Sequence, residues 1–312
     1  MILTLSPNPA LERVALVEKF EAAAEGQKPM RVTTHAGGAG MRAASVVRLL
    51  GGDVLALGFV GGHLGGLLRE GLDRQDVPHL LTPIASDTRG TFLLLDRDKG
   101  VITDIPEDPP TFTPAEADRL IASLDRHLPH ASLLILADGH DDSDPEFFRR
   151  AISSAKRAGV PVLSDLCGTA LNAAVESGVW LIRVNLKTLQ KQTERSLQHD
   201  FAILQEARAI LAQGVENVIV TLAEEGALLV NGAGAWRVQA PIVSHFNATG
   251  SGETLSGALA VQWERTHDIV EAVRYGCAAA SVNVTHDEPG YATPGEVNVL
   301  LPKTTAVPVV IR

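Results

Sequence analysis

Asn247-Ala248-Thr249-Gly250-Ser251-Gly252-Glu253-Thr254-Leu255-Ser256-Gly257-Ala258-Leu259 runs from a glycine-rich turn straight into an Ala- and Leu-rich stretch of helical character. Where a helix starts, its first backbone N–H groups have no helical partners and its macrodipole is positive, so such a junction can hold an anion. Gly250 and Gly252 let the backbone approach that anion closely. Glu253 falls in the first helical turn, where a carboxylate can take a proton from an attacking hydroxyl. The same residues also read as an ordinary tight turn with an acidic helix start, and the segment alone leaves both readings open.

Outward from this stretch, short apolar runs rich in β-branched residues recur at 2–5, 54–60, 133–136, 160–163, 179–182 and 218–222. Gly, Asp or Asn bounds most of them, as at strand ends. Between several lie amphipathic segments of helical length, at 43–50, 66–74, 114–128, 145–158 and 199–213. Strand alternating with helix predicts an α/β fold built on a mainly parallel, doubly wound sheet flanked by helices. Residues 88–110 differ: Thr91-Phe92-Leu93-Leu94-Leu95-Asp96 and Val101-Ile102-Thr103-Asp104-Ile105 are joined by Arg97-Asp98-Lys99-Gly100, a hairpin pattern. With strands from the irregular stretch 13–34, this hairpin is expected to form a small β lid. One α/β domain over 1–312, with the lid inserted from about 13–34 and 88–110, is the expected organisation.

Composition narrows the function classes. The 312 residues are 45% apolar and 21% charged, as in a globular protein with a packed core. Acidic residues outnumber basic ones 37 to 27, and the formal charge of −10 disfavours nucleic acid and anionic membranes as partners. Any phosphate site must therefore be local. Two cysteines, Cys167 and Cys277, suit reduced core residues rather than a disulfide framework. The first residues carry no signal-peptide pattern and no apolar run reaches ~18 residues, so a cytoplasmic location is expected.

The 247–259 stretch resembles the C-terminal signature of the PfkB/ribokinase family of carbohydrate kinases, most closely its 1-phosphofructokinase and tagatose-6-phosphate kinase branch. The resemblance implies a ribokinase-like fold, ATP with Mg²⁺, a sugar or sugar-phosphate substrate, and a homodimer through the lid. In that family a G-[AS]-G-D turn forms an anion hole for the γ-phosphate and its Asp is the catalytic base. Gly250, Ser251 and Gly252 match, and Glu253 stands where the Asp would be. Leu3-Thr4-Leu5-Ser6-Pro7-Asn8-Pro9-Ala10-Leu11-Glu12 is similar to the branch's opening motif, in which an Asp at the position of Glu12 binds sugar hydroxyls. Ala36-Gly37-Gly38-Ala39-Gly40-Met41-Arg42-Ala43-Ala44 is similar to the sugar-binding glycine turn, Leu57-Gly58-Phe59-Val60-Gly61-Gly62 to a second glycine motif, and Thr88-Arg89 to a phosphate-binding T-R. The resemblance assigns substrate binding to Glu12, Gly37, Gly38, Arg42, Arg89 and Gly139. It assigns nucleotide binding to Asn185, Thr221, Glu224, Gly226, Thr249 and Asn283, with Asp165 also in the nucleotide half.

Several matched positions are altered. Glu12 and Glu253 keep the charge of Asp but add a methylene, which lengthens the reach of a base. Ala39 replaces the family's Lys and Arg42 its Asn, so Arg42 with Arg89 is the expected clamp for a substrate phosphate, with a solvated helix-start residue the equal alternative for Arg42. The family's hydroxyl-rich loop is here Ala137-Asp138-Gly139-His140-Asp141-Asp142-Ser143-Asp144, whose carboxylates repel phosphate unless a cation bridges them. His140 with Asp138, Asp141 and Asp142 is a candidate metal cluster, but capping of a helix at Pro145 is the preferred reading. Thr188 stands where the N-x-x-E element has its carboxylate, which weakens electrostatic support for phosphoryl transfer. A carbohydrate kinase is the leading reading, and a non-catalytic nucleotide- or sugar-phosphate-binding relative is the runner-up. An NAD-dependent dehydrogenase is disfavoured because no G-x-G-x-x-G follows the first strand.

Overall fold

The computed structural model describes residues 1–22, 25–140 and 143–309. β1 (Ile2–Ser6) enters the core and is followed by two strands of a separate small sheet, β2 (Ala10–Val17) and β3 (Arg31–Gly37). Helix α1 (Ala39–Leu49) leads to β4 (Val54–Val60), α2 (Gly62–Arg74) and β5 (His79–Pro83). β6 (Arg89–Asp96) and β7 (Val101–Pro106) complete the small sheet. Alternation then resumes with α3 (Pro114–His127), β8 (Leu133–Ala137), α4 (Pro145–Arg157), β9 (Val162–Asp165), α5 (Gly168–Glu176) and β10 (Leu181–Asn185). α6 (Leu186–Thr193), α7 (Asp200–Leu211), β11 (Asn217–Thr221), β12 (Ala227–Asn231) and β13 (Gly234–Gln239) follow. The chain closes with α8 (Ser251–Thr266), α9 (Ile269–Asn283), α10 (Pro294–Leu300) and β14 (Thr305–Pro308).

Among the described residues the large sheet has ten strands in the order β14-β13-β12-β11-β10-β9-β8-β1-β4-β5. From β11 to β5 every pairing is parallel. Both faces are covered, which is why the strands read as unbroken apolar runs. Leu134 and Leu136 pack with α3, α4, α5 and α7, whereas Leu133 and Ile135 face the side of α1, α2, α8 and α9. β12, β13 and β14 extend the sheet in antiparallel fashion, and the turn after Asn231 joins β12 to β13.

Several bounds depart from the sequence reading. α1 starts at Ala39 rather than near 43, because Gly38 at φ 87 turns the chain into the helix. β9 and β10 start two residues later than the runs at 160 and 179, after the tight turns at Gly159 (φ 71) and Gly178 (φ 58). Both strands also run past the apolar runs, so Asp165 and Asn185 are the last residues of parallel strands. β5 and the β12–β14 edge have no counterpart in the reading.

The small sheet has the order β3-β2-β6-β7, with β2 and β6 parallel and the outer pairs antiparallel. It is drawn from 10–37 and 89–106, close to the expected 13–34 and 88–110. Val14, Leu93 and Leu95 form a local core on its inner face, against Leu16, Ile102 and Phe246. Among the described residues no helix is long and apolar enough to cross a membrane.

Candidate active site

The carboxyl ends of the parallel strands, where doubly wound sheets bind ligands, open onto two cavities that share Asn185. The first, about 490 Å³, lies between the sheet and the inner face of the small sheet; Asn8, Arg42, Arg89, Asp104, Asp138, Gly139, Asp165 and Arg183 are part of its wall. The second, about 470 Å³, includes Thr221, Glu224, Gly226, Ser251 and Gly252 in its wall, together with the apolar side chains of Ile242, Leu255 and Val284. Both volumes suit small ligands.

The 250–252 turn separates them. Gly250, at φ 82, is the residue before α8, and no side chain caps the helix start. The backbone there must be glycine: a Cβ on Gly250 would meet the backbone of Gly290 and Pro289. Asn283 is fully buried beneath the turn, donating to Thr249 O (2.9 Å) and Ser251 Oγ (3.1 Å) and accepting from Gly290 N–H (2.7 Å). Asn283 and Thr249 brace the turn and line neither cavity, whereas Asn185, Thr221, Glu224 and Gly226 all line the second. Asn185 also caps α6, its Oδ1 accepting from Thr188 N–H at 2.7 Å.

Glu253 is tied to Arg42. One terminal nitrogen of Arg42 donates to Glu253 Oε1 at 2.6 Å, and the other donates to Glu12 Oε1. Glu12 is 2% exposed, accepts from Gly38 N–H (3.1 Å), and fills the space beside Gly37 that any side chain there would need. Glu12 Oε2 and Arg42 Nε are buried with no hydrogen-bond partner. Burial opposes ionisation of Glu253, but the guanidiniums of Arg42 and Arg183 outweigh it and hold the carboxyl at about 2. Burial likewise opposes the Arg42 charge, and the flanking Glu12 and Glu253 more than restore it. The expected phosphate clamp is thus built differently: Arg42 is spent on two carboxylates, and Arg89 donates to Asn8 Oδ1 (2.8 Å) and Thr91 Oγ1 (3.2 Å).

The acidic loop divides its labour. Asp138, held at φ 64, reaches across to the start of α1, where it accepts from Gly40 N–H (3.0 Å), Ala39 N–H and the Ser6 hydroxyl. Burial pushes its carboxyl up against these donors. Asp144 caps α4 through Glu146 N–H (3.0 Å), as preferred from sequence. Asp141 and Asp142 lie outside the described residues. Among the described residues no group of three His, Cys, Asp or Glu side chains is arranged to hold a metal.

One residue at the junction escaped the sequence reading. Arg183 sits on β10 with its guanidinium over Gly252, where any side chain at 252 would collide with it. It donates to Asp165 Oδ1 at 2.9 Å, and Asp165 Oδ2 accepts from Ser256 Oγ at 2.8 Å. Burial raises the Asp165 carboxyl against the pull of Arg183. A charged residue in the buried run Leu181-Ile182-Arg183-Val184 was the available signal, since buried charge must be paired.

The phosphofructokinase-2 of Escherichia coli, solved in complex with potassium, superposes with a TM-score of 0.89 at 23% identity, covering 97% of this chain and 98% of that one. A possible 1-phosphofructokinase of Thermotoga maritima gives 0.89 at 17% identity over 99% and 100% of the two chains. The ribokinase of Arabidopsis thaliana, complexed with ribose and ATP, gives 0.76 at 20% identity over 96% and 98%. At these identities the likeness establishes the ribokinase-like fold. The model of the pfkB family carbohydrate kinases matches residues 10–295, nearly the whole chain, and the protein therefore belongs to the PfkB family of carbohydrate kinases.

Proposed function

We propose that the protein transfers the γ-phosphoryl group of ATP to a hydroxyl of a sugar that carries no phosphate of its own. The nucleotide occupies the second cavity, the sugar the first, and the small sheet acts as the lid of a single working domain. The hydroxyl gives its proton to Glu253 as its oxygen bonds to the γ-phosphorus, and the bond to the β,γ-bridging oxygen breaks, leaving ADP with that electron pair. Backbone amides at Gly250 and Gly252 receive the charge of the transferred group, while Ser251 N–H is donated to Ala248 O at 3.2 Å within the turn.

The observation that carries the choice of substrate is the charge of the first cavity. Asp104, Glu107, Asp108, Asp138 and Asp165 line it against Arg42, Arg89 and Arg183, and Arg42 and Arg183 already pair with carboxylates. Five carboxylates against three guanidiniums favour an uncharged acceptor over a dianion.

The described residues do not fit a protein-held Mg²⁺. Both oxygens of Asp165 are engaged, and Thr188 offers no carboxylate. A binding-only relative is the second reading, favoured by the ion pair that restrains Glu253.

A coupled ADP-release assay over free and phosphorylated sugars separates the readings. We expect turnover with a free sugar, and a loss of roughly 100-fold or more in Glu253→Gln with ATP affinity retained. Turnover confined to sugar phosphates refutes the substrate assignment. Tight ATP binding without turnover on any acceptor favours the binding-only relative.

A further inference from the structure

We propose that Arg183 is a catalytic residue of this site, donating to the oxygens of the phosphoryl group while it passes from nucleotide to acceptor. The inference rests on the phosphoryl-transfer reading above and adds a residue to it. Arg183 lines the first cavity, while the residue its guanidinium covers, Gly252, lines the second. A group moving between the two passes this point.

The donor count supports the role. A guanidinium carries five N–H donors. Arg183 Nη1 is held by Asp165, Arg183 Nε is buried with no partner, and Nη2 lies over Gly252 at the start of α8, which no side chain caps. The side chain is 10% exposed, so water satisfies little of the remainder. Unpaired donors on a buried cation are costly unless an anion comes to them. Asp165, itself fixed by Ser256, orients the fork toward the turn without consuming it.

The other cavity-lining arginines are placed differently. Arg42 is bound between Glu12 and Glu253, and Arg89 lies on the small sheet with Asn8 and Thr91. A planar guanidinium beside the Gly252 amide matches the equatorial oxygens of a transferring phosphoryl group, whose charge needs stabilisation. A purely structural Arg183 would only balance the charges of Asp165 and Glu253.

The test compares wild type with Arg183→Ala, Arg183→Lys and Gly252→Ala for turnover, and for calorimetric binding of ADP and of ADP with aluminium fluoride. We expect kcat of Arg183→Ala to fall about 100-fold or more, ADP affinity to hold, and the aluminium fluoride complex to weaken by a similar factor. Arg183→Lys should be intermediate, because an ammonium lacks the fork. Gly252→Ala, whose methyl displaces the guanidinium, should lose turnover, and adding it to Arg183→Ala should cost little more. If Arg183→Ala does not fold, Gly252→Ala carries the test, and a wild-type rate in that variant overturns the inference. An active wild type with an equally active, folded Arg183→Ala overturns the inference while leaving the phosphoryl-transfer reading intact. A wild type that neither binds ATP nor turns over any acceptor overturns both.

Discussion

Arg42 holds the Glu253 carboxyl in its charged form. The carboxyl has an ordinary value of 4.5 and sits at about 2 in the folded protein, since Arg42 and Arg183 outweigh its burial. A depressed folded value contributes stability that is present above about 4.5 and is lost as pH falls toward 2. The same shift keeps Glu253 ionised throughout the neutral range. Arg42→Asn removes one of the two guanidiniums while Arg183 remains, so the acid limb of kcat/KM should move up by about one pH unit or more. A pH profile identical to wild type would show that Arg42 does not hold the carboxyl down. At this scale the sequence is readable where chemistry is local. Gly250 announces its turn and Glu253 its helix start, but Arg42 meets partners 30 and 211 residues away, and no spacing rule reports such a contact. Arg42 therefore reads from sequence as a spare cation, when the fold commits it.

Elements were readable where their end signals were strong. α3 begins with Thr113, Pro114 and Glu116: the Thr113 hydroxyl accepts from Glu116 N–H, and the Glu116 carboxylate accepts from Thr113 N–H at 2.6 Å. Glu116 also accepts from Ala85 N–H at 2.8 Å, so the cap anchors the loop after β5 as well as its own helix. Thr113→Ala should cost about 1 kcal/mol in a urea unfolding curve with an unchanged slope. No shift in the midpoint would mean that water replaces the cap. The β12–β13 hairpin was within reach of the same kind of reading, since Asn231-Gly232 between two apolar runs is a hairpin signal. β5 was not: its residues His79-Leu80-Leu81-Thr82-Pro83 lie at the edge of the sheet and end in proline, so they lack the apolar continuity of a central strand. β10 shows the cost of reading a run by its apolar residues alone. The strand extends to Asn185 and carries Arg183, and the residues that line the cavities sit in the part that the apolar run omits.

At the scale of the whole molecule, the outer face of the small sheet leaves a row of apolar side chains open. Strand register places Phe92 opposite Ile105 and Leu94 opposite Thr103, with Ala15 and Val32 continuing the row on β2 and β3. Phe92, Val32, Val101 and Ile105 are 38%, 42%, 51% and 58% exposed, while the inner face is occupied by the Val14, Leu93 and Leu95 core, by buried Glu12 and by Asp104 at the cavity. A thin sheet whose inner face serves a polar cavity has no second core in which to bury this row. A second copy of the chain offers the same row in return, because a two-fold contact is self-complementary. The protein should therefore be a homodimer through the small sheets, and closure over the sugar should be linked to dimerisation, since the same strands carry both faces. Sedimentation equilibrium at tens of micromolar should give a dimer for wild type and a monomer for Phe92→Asp and Ile105→Asp, which alter the outer face alone. A monomeric wild type removes the interface altogether, and dimeric variants place it elsewhere. If the monomeric variants also show a raised KM for the sugar with little change in kcat, the contact steadies the lid over the first cavity. An unchanged KM would mean that each lid closes without help from its partner.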